Sequence, residues 1–370
     1  MENYSIVIPS YTVGPEAYAK IPEFCRLYGK KAVVIGGEKA MAAAREKLLG
    51  ALEGSDMEII AFVRYGKECT FEAAKRLEEE PAVLEADMIF AVGGGKAVDT
   101  CKLVSLELGK PYAAFPTIAS NCAASSSVSI VYNEDGSFCR FVHFLKSALH
   151  VFMDTDIMAK APVQYLWAGI GDTCAKYYEV SISAKGEQLE HFRALGVNMS
   201  RMCMETLVQH GEQALKDNEA GIASYDLEQA ALAIIITTGW VSMLVARDHT
   251  MDYNGGVAHA FFYGLCSLPG FDETRKEHLH GVVVGFGILM LLLIDGREEE
   301  CQKMMEFNRK VGLPVKLADI GVTVEDVKKV AGIIVQDEDL QHYPYRVTEE
   351  MVVEAAEKLD IRPSGSEKLG

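Results

Sequence analysis

Ala91-Val92-Gly93-Gly94-Gly95-Lys96-Ala97-Val98-Asp99-Thr100 places three glycines between a short apolar run and an amphipathic one. Glycine has no Cβ, so the backbone can turn tightly there and come close to a ligand. The free N–H groups and the dipole of a helix beginning at this point attract a phosphate. The stretch is not an NTPase loop, because Ala97 occupies the place of the magnesium-binding Ser or Thr, and it is not GxGxxG either. By itself it reads either as a diphosphate cradle or as a tight turn after a strand.

Outward from this loop, the first 155 or so residues alternate short apolar runs with amphipathic stretches, the pattern of strand-helix units around a parallel sheet. Strands are expected over 32–35, 57–63, 88–92 and 112–115, and helices over 38–52, 70–80 and 96–108, where apolar residues recur at helical spacing. Two β-prone runs, 127–132 and 138–144, flank an Asp135-Gly136 step that favours a hairpin. After Asp154 the β signal fades and helical patterns run to Leu359, with no internal repeat. The reading is an α/β domain over 1–158 followed by an all-helical domain over 159–370, and a length of 370 residues agrees with two cores.

Composition narrows the function. A share of 49% hydrophobic and 24% charged residues with only 11 prolines describes a globular chain, with disorder expected only in the tail 362–370. A net charge of -17, with Lys and Arg nowhere concentrated, argues against a nucleic-acid or anionic-membrane partner. Nine cysteines without a CxxC pair suit reduced thiols in the cytosol. The start MENYSIVIPS has no basic and apolar secretory pattern, and the apolar runs 230–246 and 282–294 fall short of the roughly 20 residues that span a bilayer. A cytoplasmic chain is expected.

Further segments turn the glycine loop into part of a larger pattern: Pro116-Thr117-Ile118-Ala119-Ser120, Ala168-Gly169-Ile170-Gly171-Asp172, Ala258-His259-Ala260 and His280-Gly281. In this order and spacing, behind the GGGKxxD loop, they resemble the glycerol dehydrogenase branch of the iron-containing alcohol dehydrogenase superfamily. Asn121-Cys122-Ala123-Ala124, Tyr165-Leu166-Trp167 and His342-Tyr343 look closest to the bacterial hydroxycarboxylate dehydrogenases within it. The resemblance spans nearly the whole chain. It implies a dehydroquinate synthase-like fold, with a dinucleotide-binding α/β domain, an all-α metal-binding and substrate domain, and an active site in the cleft between them. A homo-oligomer is also implied.

The same resemblance assigns Asp172, His259 and His280 as the metal ligands and catalytic centre, with zinc the expected ion. Three hard or borderline ligands leave a coordination position open for a substrate oxygen, where a dication stabilises the charge that hydride transfer creates. Iron-dependent relatives carry a further His where this chain has Lys176, and many place a second His where it has Phe262; both departures favour a three-ligand zinc-type site.

For the cofactor the resemblance implies that Gly94, Gly95 and Lys96 cradle the diphosphate, with Asp99, Thr117, Ser120, Ser126, Val128 and Tyr132 around the nicotinamide half. NAD-using relatives carry an Asp where this chain has Gly37. Its absence, with Lys39 nearby, admits a 2′-phosphate and favours NADP over NAD unless Glu38 points inward. Asn121 and Cys122 occupy the substrate position, Cys122 replacing an Asp that holds a polyol hydroxyl in glycerol dehydrogenases. A small 2-oxo or 2-hydroxy acid is therefore expected, with glycerol and dihydroxyacetone as the alternative. The charged loop 270–279 offers Arg275, Lys276 and His278 to a carboxylate or, as such loops usually do, to solvent. A dehydroquinate-synthase-like lyase and an inert dinucleotide-binding protein are the remaining readings.

Overall fold

Strands rich in Val, Ile, Ala and Phe with almost no charge need both faces covered, as in a parallel sheet flanked by helices. The computed structural model describes residues 5–246 and 252–361 and provides such a sheet. Its strands are β1 (Ser10–Gly14), β2 (Lys31–Gly36), β3 (Glu58–Arg64), β4 (Met88–Gly93), β5 (Tyr112–Pro116) and, after a hairpin of β6 (Val128–Tyr132) with β7 (Phe138–His143), β8 (His150–Asp154). All six sheet strands are parallel, in the order β1-β8-β5-β4-β2-β3. Helices at Glu38–Leu52, Phe71–Glu78 and Gly95–Leu108 connect β2, β3, β4 and β5. The expected elements of this half are therefore present, each within two residues of the sequence-based bounds.

The strand order fixes where a ligand can bind. From β2 the chain moves outward to β3, then crosses back to β4 on the other side of β2. In open parallel sheets such a reversal is where ligands bind, in a crevice outside the carboxyl ends of the strands. The loops after β2 and β4 both carry glycines, Gly36-Gly37 and Gly93-Gly94. Beneath them the core stacks Phe90, Phe115 and Phe152 with ring centroids 4.8 and 4.9 Å apart.

Strands β1 and β8 were not expected. They pair with one another, Ser10 opposite His150 through Gly14 opposite Asp154. In β1 (SYTVG) a polar pattern hides a strand that forms only by contact 140 residues away, where His150 bonds the hydroxyls of Ser10 and Thr12 at 2.7 and 2.8 Å.

After β8 the described residues contain no further strand. Contacts group Met1–Leu166 with Gln213–Met243, and Trp167–Glu212 with Leu244–Gly370. This differs from a single cut at 158/159, because hydrophobic periodicity reports the type of an element and not the core its apolar face joins. In the first unit Ser125 donates to the Ile235 carbonyl within the π-helical turn Leu232–Thr237. The apolar run expected over 230–246 belongs to a helix, Tyr225–Val245, of 21 residues, long and apolar enough to cross a membrane by length and composition. It is 67% buried inside the protein over its most apolar window, in the manner of a core helix. The tail 362–370, expected to be disordered, lies outside the described residues.

Candidate active site

The glycine loop continues β4 directly into the helix Gly95–Leu108. Gly93 has a φ of 144°, a conformation that side-chain-bearing residues rarely adopt. A Cβ on Gly94 would come within 2.7 Å of the Ile118 side chain, and one on Gly95 within 2.8 Å of the Asn121 amide. The Gly37 nitrogen is 4.0 Å from where a Gly93 Cβ would sit, so the turns after β2 and β4 lie side by side. Lys96 places its ammonium 2.5 Å from a Glu68 carboxylate oxygen and 5.4 Å from the centre of the Tyr132 ring. Thr117 is buried and its N–H reaches the Gly93 carbonyl at 3.4 Å. Gly94, Gly95, Lys96, Thr117, Asn121 and Tyr132 thus surround the start of one helix, with half-buried Ser120 next along the chain. Asn121, expected at the substrate, lies over Gly95 and accepts from the Ala123 N–H at 3.1 Å. Cys122 is partly buried beside it.

Asp99, Ser126 and Val128, expected around the nicotinamide half, are joined through one buried cation. The buried Lys102 ammonium donates to Asp99 at 2.8 Å, Ser126 at 3.3 Å and the Val128 carbonyl at 2.6 Å. The second Asp99 oxygen accepts from the Ile130 N–H at 3.2 Å. Burial pushes the Asp99 carboxyl up and Lys102 opposes it. This ion pair ties the β6–β7 hairpin to the helix, and the i, i+3 spacing of Asp99 and Lys102 was its sequence signal.

In the second unit three helices converge. Asp172 lies on Val163–Ser183, His259 in the first turn of Val257–Cys266, and His280 begins His280–Ile294. Glycines let the backbones touch: a Cβ on Gly171 or Gly281 would overlap the carbonyl of Gly281 or Ala168 respectively, and one on Gly287 would come within 2.8 Å of the Ala258 Cα. The contacts bring one donor atom each from Asp172, His259 and His280 within 4.8 Å of one another. The His259 and His280 Nε2 atoms stand 3.4 and 3.6 Å from the same Asp172 oxygen. Burial alone would push the Asp172 carboxyl up, but the two imidazoles hold it well below the usual carboxylate range. Burial opposes a charge on His259, yet Glu179 and Asp172 raise its pKa to about 10.

Glu179 is the residue that sequence reasoning missed. Fully buried two turns along the same face of the helix from Asp172, it accepts from the His259 N–H at 3.0 Å and meets His259 Nδ1 at 2.7 Å. It thereby caps a free N–H of the His259 helix and turns Nε2 toward Asp172. Tyr343 accepts from the Val257 N–H at 3.0 Å at the same helix start. The spacing of Asp172 and Glu179, two helical turns, was the available signal.

Lys176, in place of an expected iron ligand, donates to the Asn254 carbonyl and side chain at 2.6 and 3.0 Å. Phe262 packs its ring edge on His280 with centroids 4.5 Å apart. Neither adds a donor to the triad. Of the charged loop, Arg275 pairs with Glu277, Lys276 lies 4.9 Å over the Trp167 ring, and His278 is buried, stacked on Phe271. The solvated-loop reading therefore fails at His278, whose Nε2 lies 3.1 Å from the Ile320 carbonyl.

A family profile described as iron-containing alcohol dehydrogenase matches residues 9–155. Over almost its full length the chain is 30% identical to hydroxycarboxylate dehydrogenase A of Escherichia coli strain K12, across 361 residues covering 94% of this chain and 96% of that protein. The chain belongs to the iron-containing alcohol dehydrogenase family. Glycerol dehydrogenase of Citrobacter freundii is also 30% identical, over 360 residues and 95% of each chain. The solved structure of glycerol dehydrogenase from Schizosaccharomyces pombe has the same fold, with a TM-score of 0.84 at 24% identity, covering 97% of this chain and 91% of that one. The protein is therefore an oxidoreductase acting on alcohols with a nicotinamide dinucleotide and a divalent metal, as this family's members are.

Proposed function

We propose that this family member is a zinc-dependent, NADP-preferring dehydrogenase that interconverts a small 2-oxo acid and its 2-hydroxy acid. The observation that carries the reading is the convergence of Asp172, His259 and His280, a carboxylate and two imidazoles within 4.8 Å, with Glu179 orienting one imidazole. Two nitrogens and one oxygen suit a borderline divalent ion, and three protein ligands characterise catalytic rather than structural zinc. The bound ion would supply Lewis acidity at the substrate oxygen.

The residues of the chain do the rest. Asp172, His259 and His280 hold the ion; Gly94, Gly95 and Lys96, at a helix start, hold the cofactor diphosphate, flanked by Thr117, Ser120 and Tyr132. Lys96 must leave Glu68 to do so. Asp99, Ser126 and Val128 hold the hairpin that carries Tyr132. Gly37 and Lys39 accept the adenosine end of NADP. Cys122 and Asn121 face substrate without adding negative charge, which favours an anionic acid over a polyol. The α/β part up to 158 is read as the cofactor domain and the helical part from 159 as the metal domain. Nine free cysteines support a cytoplasmic setting, and half-exposed Ile6, Val7, Ile8 and Tyr11 beside edge strand β1 support a homo-oligomer.

The test is NADPH oxidation by zinc-loaded protein with 2-oxobutyrate or 2-oxoglutarate against dihydroxyacetone, repeated after chelation. Chelator-sensitive turnover of the oxo acids is expected. Turnover of dihydroxyacetone alone would replace the reading with a glycerol dehydrogenase, which the Citrobacter relative at equal identity keeps in view.

A further inference from the structure

We infer that Arg64, at the end of β3, is the residue that selects the phosphorylated dinucleotide by gripping its 2′-phosphate. The inference rests on the cofactor reading above and adds its specificity determinant.

β2 and β3 are neighbours, with Gly36 opposite Arg64, so Arg64 emerges beside the turn at which β2 passes into the helix Glu38–Leu52. The Tyr65 N–H donates to the Gly36 carbonyl at 3.2 Å and fixes this register. The Tyr65 ring lies 3.6 Å from where a Cβ on Gly37 would sit. An acidic side chain at 37 would therefore fit sterically, yet the position is a glycine backed by an aromatic wall, with a guanidinium one strand away. Position 37 itself offers no carboxylate to a ribose hydroxyl, and the neighbouring strand offers a positive charge.

Glu38 is the group that could reverse this, since a carboxylate in the crevice would repel a phosphate. Its carboxylate is engaged by the same guanidinium: its oxygen lies 3.4 Å from Arg64 Nη1, and both side chains are largely exposed, at 74% and 64%. A long, solvated ion pair of this kind is weak. A phosphate monoester dianion offers the guanidinium fork two parallel, charge-assisted hydrogen bonds in its place. Arg64 has no other ion-pair partner among the described residues. Lys39 adds an exposed positive charge at the same helix start.

Two variants test the assignment by direct binding, read from nicotinamide fluorescence with NADPH and NADH as separate probes. Losing one charge-assisted contact is worth roughly ten- to a hundredfold in affinity. Arg64→Gln is expected to weaken NADPH by that factor and leave NADH unchanged; the unchanged NADH affinity also shows that the exposed substitution has not unfolded the site. Glu38→Gln, which removes the competing carboxylate, is expected to tighten NADPH and leave NADH as it was. If the wild-type protein prefers NADPH and Arg64→Gln keeps that preference, Arg64 is not the selector and the NADP reading stands without it. A wild-type protein that binds NADH as tightly as NADPH overturns both.

Discussion

Replacing Glu179 by Gln should cost the protein most of its hold on zinc without taking away a single ligand. The carboxylate is fully buried and faces two donors of one residue, the His259 backbone N–H at 3.0 Å and Nδ1 at 2.7 Å. Glutamine has nearly the same shape but only one acceptor oxygen. Whichever donor that oxygen serves, the other meets an amide N–H, so one charge-assisted bond is lost. Such a bond is worth about 1.5–3 kcal/mol, which is roughly ten- to a hundredfold in affinity and agrees with the cost typical of residues that orient a metal-bound imidazole. The assay is competition for zinc between the protein and a chromophoric chelator at fixed pH, with the melting temperature of the metal-free variant measured alongside. A weakened zinc affinity beside a small shift in metal-free melting is the expected pattern. If zinc affinity is unchanged while melting falls, Glu179 serves only to cap the His259 helix, and the geometric argument for the site is refuted.

Lys102→Met should destabilise the protein by about 3–5 kcal/mol, because Asp99 is left buried without its cation; the double variant Asp99→Asn with Lys102→Met should recover much of the loss in a denaturant titration, and failure to recover would show that the pair is not the unit. His150 predicts an acid-sensitive sheet edge. Burial depresses its pKa from the usual 6.5 to about 4, so the unfolded chain binds the extra proton between those values. The stabilisation is complete above pH 6.5 and is lost as pH falls toward 4; His150→Phe, which keeps an aromatic ring against Phe24, should remove that part of the pH slope in thermal melts.

Much of this could be read before any coordinates. The central strands and their helices were legible because burial on both faces demands unbroken apolar runs and the helices keep one apolar face; the helix 38–52 is found where periodicity places it. What local pattern cannot show is pairing over distance, and β1 and β8 depend on partners 140 residues apart. The triad was legible through resemblance alone, since nothing in the surroundings of Asp172, His259 or His280 in sequence distinguishes a ligand from an interior polar residue. Glu179 and Arg64 were hidden for one reason: each acts across an element boundary, on His259 from another helix and beside Gly37 from another strand. Asp99 belongs to a recognisable motif, yet its buried bond to Lys102 is not part of that motif.

The glycines at 171 and 281 bear on how such a centre acquires its ion. Because bare backbone meets bare backbone there, helix packing itself sets where Asp172 and His280 lie. A centre built this way is finished when the chain has folded, in contrast to a zinc finger, whose ligands assemble only around the metal. Loading then becomes an exchange between a completed site and the surrounding pool of divalent ions, so the occupant follows supply as well as ligand chemistry.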